Sequence, residues 1–333
     1  MKLSIVICCF NSGALLSETI AKIVSAASFI PKDSMELVVV DNASTDNTYE
    51  IARTSLAAVP FLSQLISEPK KGLMNARLAG ISHARAEYVC FLDDDNWPTD
   101  SYFARVTEIF AQYNEVGVIG VANSLPPERT LPEAIVPYAQ AYAIGCKYQY
   151  QGILAAGMSI WGAGLAVRRS AVVALMERGF HPVLNGRVGT LQLAGDDCEL
   201  CMALALCGWK VWHDTEVLIV HNVAASRFTS QKLTSMYRGF GASVPFLKRY
   251  IRRSEGQRFI TGRFYPVFYF FWIVMKFLKL AFKTGSSKKG APYELEFDWA
   301  TVYSFRLRSQ LWKRQLRNID ICESLHSRRG FSL

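Results

Sequence analysis

The stretch YVCFLDDDNWP, from Tyr88 to Pro98, ends an apolar run in three adjacent carboxylates, Asp93, Asp94 and Asp95. Neighbouring carboxylates repel one another, and Asp is a poor strand former. That repulsion is offset if a divalent cation and a phosphorylated ligand sit among them. Another acid, Asp41, follows the run LVVV at Leu37–Val40, and Asn11 follows the run Leu3–Cys9. A further pair, Asp196 and Asp197 in GDD, stands just before the helical run CELCMALALCGW. A helix start holds a carboxylate ionised, the state a general base needs before it accepts a proton. The plainer roles are capping for Asp196 and Asp197 and a solvated turn for Asp41.

The order of the elements shows how these groups meet. Strand-like Leu3–Cys9 is followed by a predicted helix at Ala14–Ala27 with Ser12 as its cap. Strand Leu37–Val40 precedes helix Thr48–Leu56, with Ser44, Thr45 and Asp46 as capping candidates. Strand Phe61–Ile66, helix Gly72–His83 and strand Tyr88–Leu92 complete the series. A βαβαβαβ order predicts a largely parallel, doubly wound sheet, and runs apolar on both faces suit one covered by helices on both sides. Ligands bind outside the carboxyl ends of such strands, so Asp41 and Asp93–Asp95 are expected on one rim. Arg77 lies in the helix before the DDD strand, placed either to line that rim or to form a salt bridge with Glu68 or an Asp. The turn CFNSGALL after the first strand has a single glycine, which argues against NAD or FAD binding.

The chain has 333 residues, half of them hydrophobic, enough for one large domain with an appendage or for two domains. The formal net charge of +9 is unevenly spread. From Arg227 onward 21 Lys and Arg face 6 Asp and Glu, whereas residues 1–226 hold 16 against 22. Such a basic tail seeks polyanions, either an anionic membrane or nucleic acid. Within it, FYPVFYFFWIVMKFLKLAF (Phe264–Phe282) is nearly apolar for about the length of a span, but carries Pro266, Lys276 and Lys279. Aromatics mixed with basic residues favour a helix lying in the membrane interface, with a single span and a buried core helix as the alternatives. The long apolar run favours lipid, so no nucleic-acid partner is expected. Of eight cysteines, Cys198 and Cys201 form a CxxC without a second metal-ligand pair, and a reduced, cytosolic chain is expected. The N-terminal MKLSIVICCF lacks a cleavage site after its short apolar run and is expected to be a buried strand.

Five segments together resemble the inverting glycosyltransferases of family 2, which have the GT-A fold. They are SIVICCFN (Ser4–Asn11), VDNASTDNT (Val40–Thr48), GLMNARLAGISHARAEYVCFLDDD (Gly72–Asp95), GAGLAVRRSA (Gly162–Ala171) and AGDDCELCMALALCGWKVWHD (Ala194–Asp214). The resemblance implies an α/β, Rossmann-like, doubly wound mixed sheet over residues 1–225, with a nucleotide-binding half at 1–100 and an acceptor-side half at 101–225. Residues 226–333 would be a basic, amphipathic, mainly helical region that associates with membrane. The implied activity moves a sugar from a nucleotide-sugar donor, of the UDP type, to a glycan or lipid-linked acceptor in cell-surface polysaccharide biosynthesis. It would require Mg2+ or Mn2+ and would take place at the cytoplasmic face of the plasma membrane.

By the same resemblance, Asp41 contacts the nucleoside, Asn11, Arg77, Asp93 and Asp94 line the donor site, and Asp95 ligates the metal with Asp93 and His221. Asp197 is the base, while Trp161, Gly162, Gly164 and Asp196 shape the sugar and acceptor pocket. Departures from the family pattern, such as Cys8-Cys9-Phe10 for Pro-Thr-Tyr, Leu78 for Asn and Asp196 for Glu, remove no carboxylate the chemistry needs. No QxxRW motif is present, so addition of one or a few sugars per encounter is expected. The rival readings are a sugar-nucleotidyltransferase of similar architecture, which the turn CFNSGALL disfavours, and a catalytically dead membrane-bound scaffold, which the intact DDD and GDD disfavour.

Overall fold

The computed structural model describes residues 2–188, 191–262, 264–284, 297–301 and 309–328. Its first half alternates β1 (Leu3–Cys9), α1 (Leu16–Ala27), β2 (Met35–Asp41), α2 (Thr48–Leu56), β3 (Leu62–Ser67), α3 (Leu73–His83) and β4 (Tyr88–Asp93). Every residue of β1 and β2 is buried. Successive side chains of a strand point to opposite faces. Accordingly Val6, Cys8, Val38 and Val40 join one core, while Leu3, Ile5, Ile7, Leu37 and Val39 join the other. The first core includes Met74 and Ala76 of α3, and the second includes Leu16, Ile20 and Ile23 of α1.

After the acidic turn come β5 (Asn96–Pro98), α4 (Tyr102–Gln112), β6 (Val116–Ser124), β7 (Gly152–Ile153), β8 (Leu165–Arg168), α5 (Arg169–Glu177), β9 (Gly186–Val188), β10 (Leu191–Leu193), α6 (Asp196–Leu206) and β11 (Lys210–His221). The main sheet runs β3-β2-β1-β4-β8-β6-β11-β5, with β7 added on β11. Its first four strands are parallel, while β8, β5 and β7 pair antiparallel with their neighbours. The sheet is therefore mixed. Sequence order suggests the parallel half; the antiparallel strands are short and depend on partners far away in the chain. One local expectation fails: the Ser12 hydroxyl accepts from Phe10 N–H, and α1 begins four residues later without a side-chain cap. Asp46 does accept from Thr48 N–H at the start of α2.

Further helices follow, among them α7 (Ser230–Ser254), α8 (Arg258–Thr261), α9 (Tyr265–Thr284) and α10 (Ser309–Arg328). Thr229 caps α7 by accepting from Lys232 N–H, and Arg253 of α7 makes a two-pronged ion pair with Glu323 of α10. Buried Arg249 donates to the carbonyls of Thr261, Gly262 and Trp312, tying the helices together.

Fully buried Glu199 joins this helical layer to the body. Its carboxylate accepts from Val183 N–H, Leu184 N–H and Tyr250 OH. Burial pushes its pKa up to about 7 despite those hydrogen bonds. The pKa is raised on folding, so its stabilising contribution is complete below the unfolded value and is lost as pH rises through about 7. Between those limits the wild type should lose stability to urea with rising pH more steeply than Glu199→Gln. Identical slopes for the two proteins would show that Glu199 is not the titrating group.

Candidate active site

Strand register builds the rim. Cys9 of β1 pairs with Asp41, and Cys8 pairs with Asp93, so the two acids end the strands on either side of β1. Asp41 is buried, and its Oδ1 has no hydrogen-bond partner. Beside it, Asn42 clamps the loop leading to α3: its amide donates to the carbonyls of Glu68 and Lys70, and its oxygen accepts from Gly72 N–H at 2.7 Å. Asn11 stands on the same rim with φ 53°, where its side-chain oxygen accepts from Thr45 N–H at 2.8 Å. Trp97 Nε1 donates to Thr19 Oγ1, which donates to Asp94 O and so fixes the acidic turn on α1.

Asp95 turns inward. Pairing of His221 with Asn96 across β11 and β5 brings His221 Nε2 to 3.4 Å from Asp95 Oδ1. Arg227, in the turn before α7, places Nη1 3.2 Å from Asp95 Oδ2, and Asn96 Nδ2 donates to Oδ1 at 3.0 Å. Burial would raise the Asp95 pKa, but the charges of His221 and Arg227 outweigh it and the carboxyl is held below its usual range. Its neighbours go the other way. Burial pushes Asp93 up to about 6, with Asp95 and Asp94 adding repulsion and Arg77 opposing it, and burial followed by Asp95 raises Asp94.

The rim thus carries more negative charge than its own cations neutralise. Among the described residues, no three His, Cys, Asp or Glu side chains converge on one point. Asp95 and His221 lie 3.4 Å apart and His221 Nδ1 is buried without a partner, so a divalent ion bound here would take most of its ligands from substrate phosphate and water.

Arg77 links this rim to the other acidic pair. Its guanidinium is almost fully buried and donates to Asp196 Oδ2 at 2.9 Å, with Asp93 Oδ1 at 3.9 Å. Glu68, the other partner considered from sequence, is not used. Burial would lower the Arg77 pKa, but Asp196 and Asp93 raise it beyond the ordinary arginine value. Burial likewise raises Asp196, against the pull of Arg77 and with the push of Asp197. Asp197 is half-buried in the first turn of α6, and its Oδ1 accepts from Cys198 N–H at 2.7 Å. The N-terminal boundary of α6 is Gly195, φ 94°, so neither acid caps it through its side chain.

Gly162 covers the junction: a side-chain carbon there would lie 2.6 Å from Arg77 Nη2 and 3.4 Å from Asp197 Oδ2. Gly164 has φ 69°, and a side-chain carbon there would strike Ile219 at 2.5 Å. Trp161, next to Gly162, is half-buried, with the Lys147 ammonium 5.9 Å from its ring centre. Arg77, Asp93, Asp196, Asp197 and Gly162 therefore meet, with Asp95 and His221 along the same rim. Asn42 and Arg227 also belong to this neighbourhood, although sequence reading assigned them no role. Adjacency to Asp41 was a signal for Asn42; nothing local distinguished Arg227.

The family model for Glycosyl transferase family 2 matches residues 4–172, half of the chain. An uncharacterized glycosyltransferase from Nostoc sp. is 31% identical over 120 residues, 36% of this chain and 36% of that protein. The match thus spans about a third of that relative's length. Among solved structures, S. aureus TarS 1–349 superposes with a TM-score of 0.50 at 14% identity, covering 99% of this chain and 92% of that one. The mannosyltransferase PcManGT from Pyrobaculum calidifontis, in complex with GDP-Man and Mn2+, gives 0.50 at 17% identity, covering 100% and 76%. These likenesses show the shared GT-A fold. The chain belongs to glycosyl transferase family 2.

Proposed function

We propose that this glycosyltransferase inverts the anomeric centre as it moves a sugar from a nucleotide-sugar donor to a hydroxyl of a glycan or lipid-linked acceptor. One observation carries the reading: a single buried guanidinium, Arg77, joins the donor-side Asp93 to the Asp196–Asp197 pair of α6. Asp41 accepts from the nucleoside, and its unpartnered buried oxygen is suited to a base N–H or ribose hydroxyl. Asp95, with Asp93 and His221, would hold Mg2+ or Mn2+, which would neutralise charge on the diphosphate. Asp197 takes the proton of the acceptor hydroxyl as its oxygen attacks the anomeric carbon. The bond to the diphosphate then breaks, and the nucleoside diphosphate leaves with the bonding pair. TarS has been solved with UDP-GlcNAc and PcManGT with GDP-Man, so both UDP and GDP donors have precedent in this fold; a UDP-sugar is the expected one.

The reaction takes place at an anionic membrane surface, as cell-surface polysaccharide assembly requires. Among the described residues no helix is long and apolar enough to cross a membrane, which favours the interfacial arrangement over a span. Helix α9 is apolar on two sides. Tyr265, Tyr269 and Ile273 pack on Trp312 of α10. Phe264, Val267, Phe268, Phe271, Val274 and Met275 recur at helical spacing and are exposed. Exposed Arg258 lies just before this helix, within the region of excess positive charge. Apolar residues beside basic ones match the interface of a negatively charged leaflet.

Asp197→Asn should lower turnover by roughly 10²–10⁴ while leaving nucleotide-sugar affinity intact, measured by product formation and calorimetry. Full turnover would remove Asp197 from the role of base. His221→Ala should weaken Mn2+ binding by about ten-fold or more, and unchanged affinity would exclude His221 as a ligand. Phe268→Asp with Phe271→Asp should abolish flotation with vesicles rich in phosphatidylglycerol; undiminished flotation would place membrane contact elsewhere.

A further inference from the structure

On the acceptor side, a half-buried cation stands without a carboxylate partner. Lys147 lies in the loop after β6, and no Asp or Glu oxygen lies within 4.0 Å of its ammonium among the described residues. Its Nζ lies 3.5 Å from Ser159 Oγ and 5.9 Å from the ring centre of Trp161. Ser159 donates its hydroxyl to Cys198 Sγ at 3.2 Å, and Tyr148 OH donates to Ser159 O at 2.8 Å. The segment from Ser159 to Gly162 therefore runs along the first turn of α6, from Cys198 to the carboxylate of Asp197. Lys147 and Trp161 sit above it together.

A buried ammonium normally has a counter-charge, because desolvation penalises it. Burial here would pull the Lys147 pKa down, but Cys198 and Asp197 raise it, so the side chain stays charged. Burial pushes the Cys198 thiol up, so it stays neutral, and the Asp197 carboxylate does not reach contact distance, which leaves room at the ammonium for an anion that does. A lysine beside an indole face is suited to a pyranose carrying an oxyanion, with the ring against Trp161 and the anion at the ammonium.

We infer that Lys147 forms an anion subsite beside the base, and that the acceptor is a sugar bearing a phosphate or carboxylate near the hydroxyl that attacks. The inference rests on Asp197 as the base. Its charge selects among acceptors and takes no part in bond making, which makes Lys147 a specificity-determining residue.

The test is binding of methyl β-glucoside, glucose 6-phosphate and glucuronate to the full chain, with Mn2+, UDP and GDP present to fill the donor side. Wild type, Lys147→Gln and Lys147→Arg are compared by saturation-transfer NMR. Wild type should bind at least one of the charged sugars about ten-fold more tightly than the neutral one, and comparing phosphate with carboxylate names the anion. Lys147→Gln should erase the preference and Lys147→Arg should keep it. Equal binding of charged and neutral sugars by wild type would overturn the subsite. So would a preference that survives in Lys147→Gln, or a loss of UDP or GDP affinity in parallel, which would place Lys147 on the donor side. Retained turnover in Asp197→Asn would instead remove the base and leave these binding results standing.

Discussion

A guanidinium cannot shed its charge, so burying Arg77 obliges the fold to bring carboxylates to it. Asp196 comes from α6 and Asp93 from the end of β4, while Arg77 itself belongs to α3. Three elements distant in sequence are thereby held at one point, and breaking such a buried pair costs about 3–5 kcal/mol. The pairing also demands space: Gly162 has no side chain, and any carbon added there would collide with Arg77. The same contact sets the acidic rim at the end of β4 beside the carboxylates of α6. Catalysis by positioning depends on such alignment.

The rim is left electrostatically incomplete. Asp93 and Asp196 are both pushed up by burial even with Arg77 between them, and Asp94 follows. Asp95 is held low, with His221 and Arg227 beside it. This negative charge is held in place by β-sheet register. On the proposed reading, a cation and a phosphorylated ligand would balance the repulsion among the three carboxylates that follow the buried strand.

Much of this was legible in the chain. Burial of β1 and β2 on both faces, the helices between the strands, and the shared rim of Asp41 and Asp93–Asp95 all follow from local pattern and strand order. What the pattern did not reveal depended on distant pairing. The short strands β5, β7 and β8 have little periodicity of their own, and their antiparallel placement makes the sheet mixed. The choice of Asp196 over Glu68 as the partner of Arg77 needed the packing of α6. Arg227 looked like one basic residue among many until the turn after β11 brought it to Asp95. The apolar run after Phe264 was readable as a helix, but its division into a packed face and an exposed face required the position of Trp312. Lys147 had no motif to mark it.

The most direct measurement is calorimetric titration of UDP-, GDP- and dTDP-sugars into the wild type and Asp95→Ala, each with Mn2+ and with EDTA. Binding of one donor that needs Mn2+ and is lost in Asp95→Ala is the result expected of a metal–diphosphate site at the end of β4. Donor binding that is indifferent both to EDTA and to Asp95→Ala, or no binding by the wild type under any condition, would contradict it.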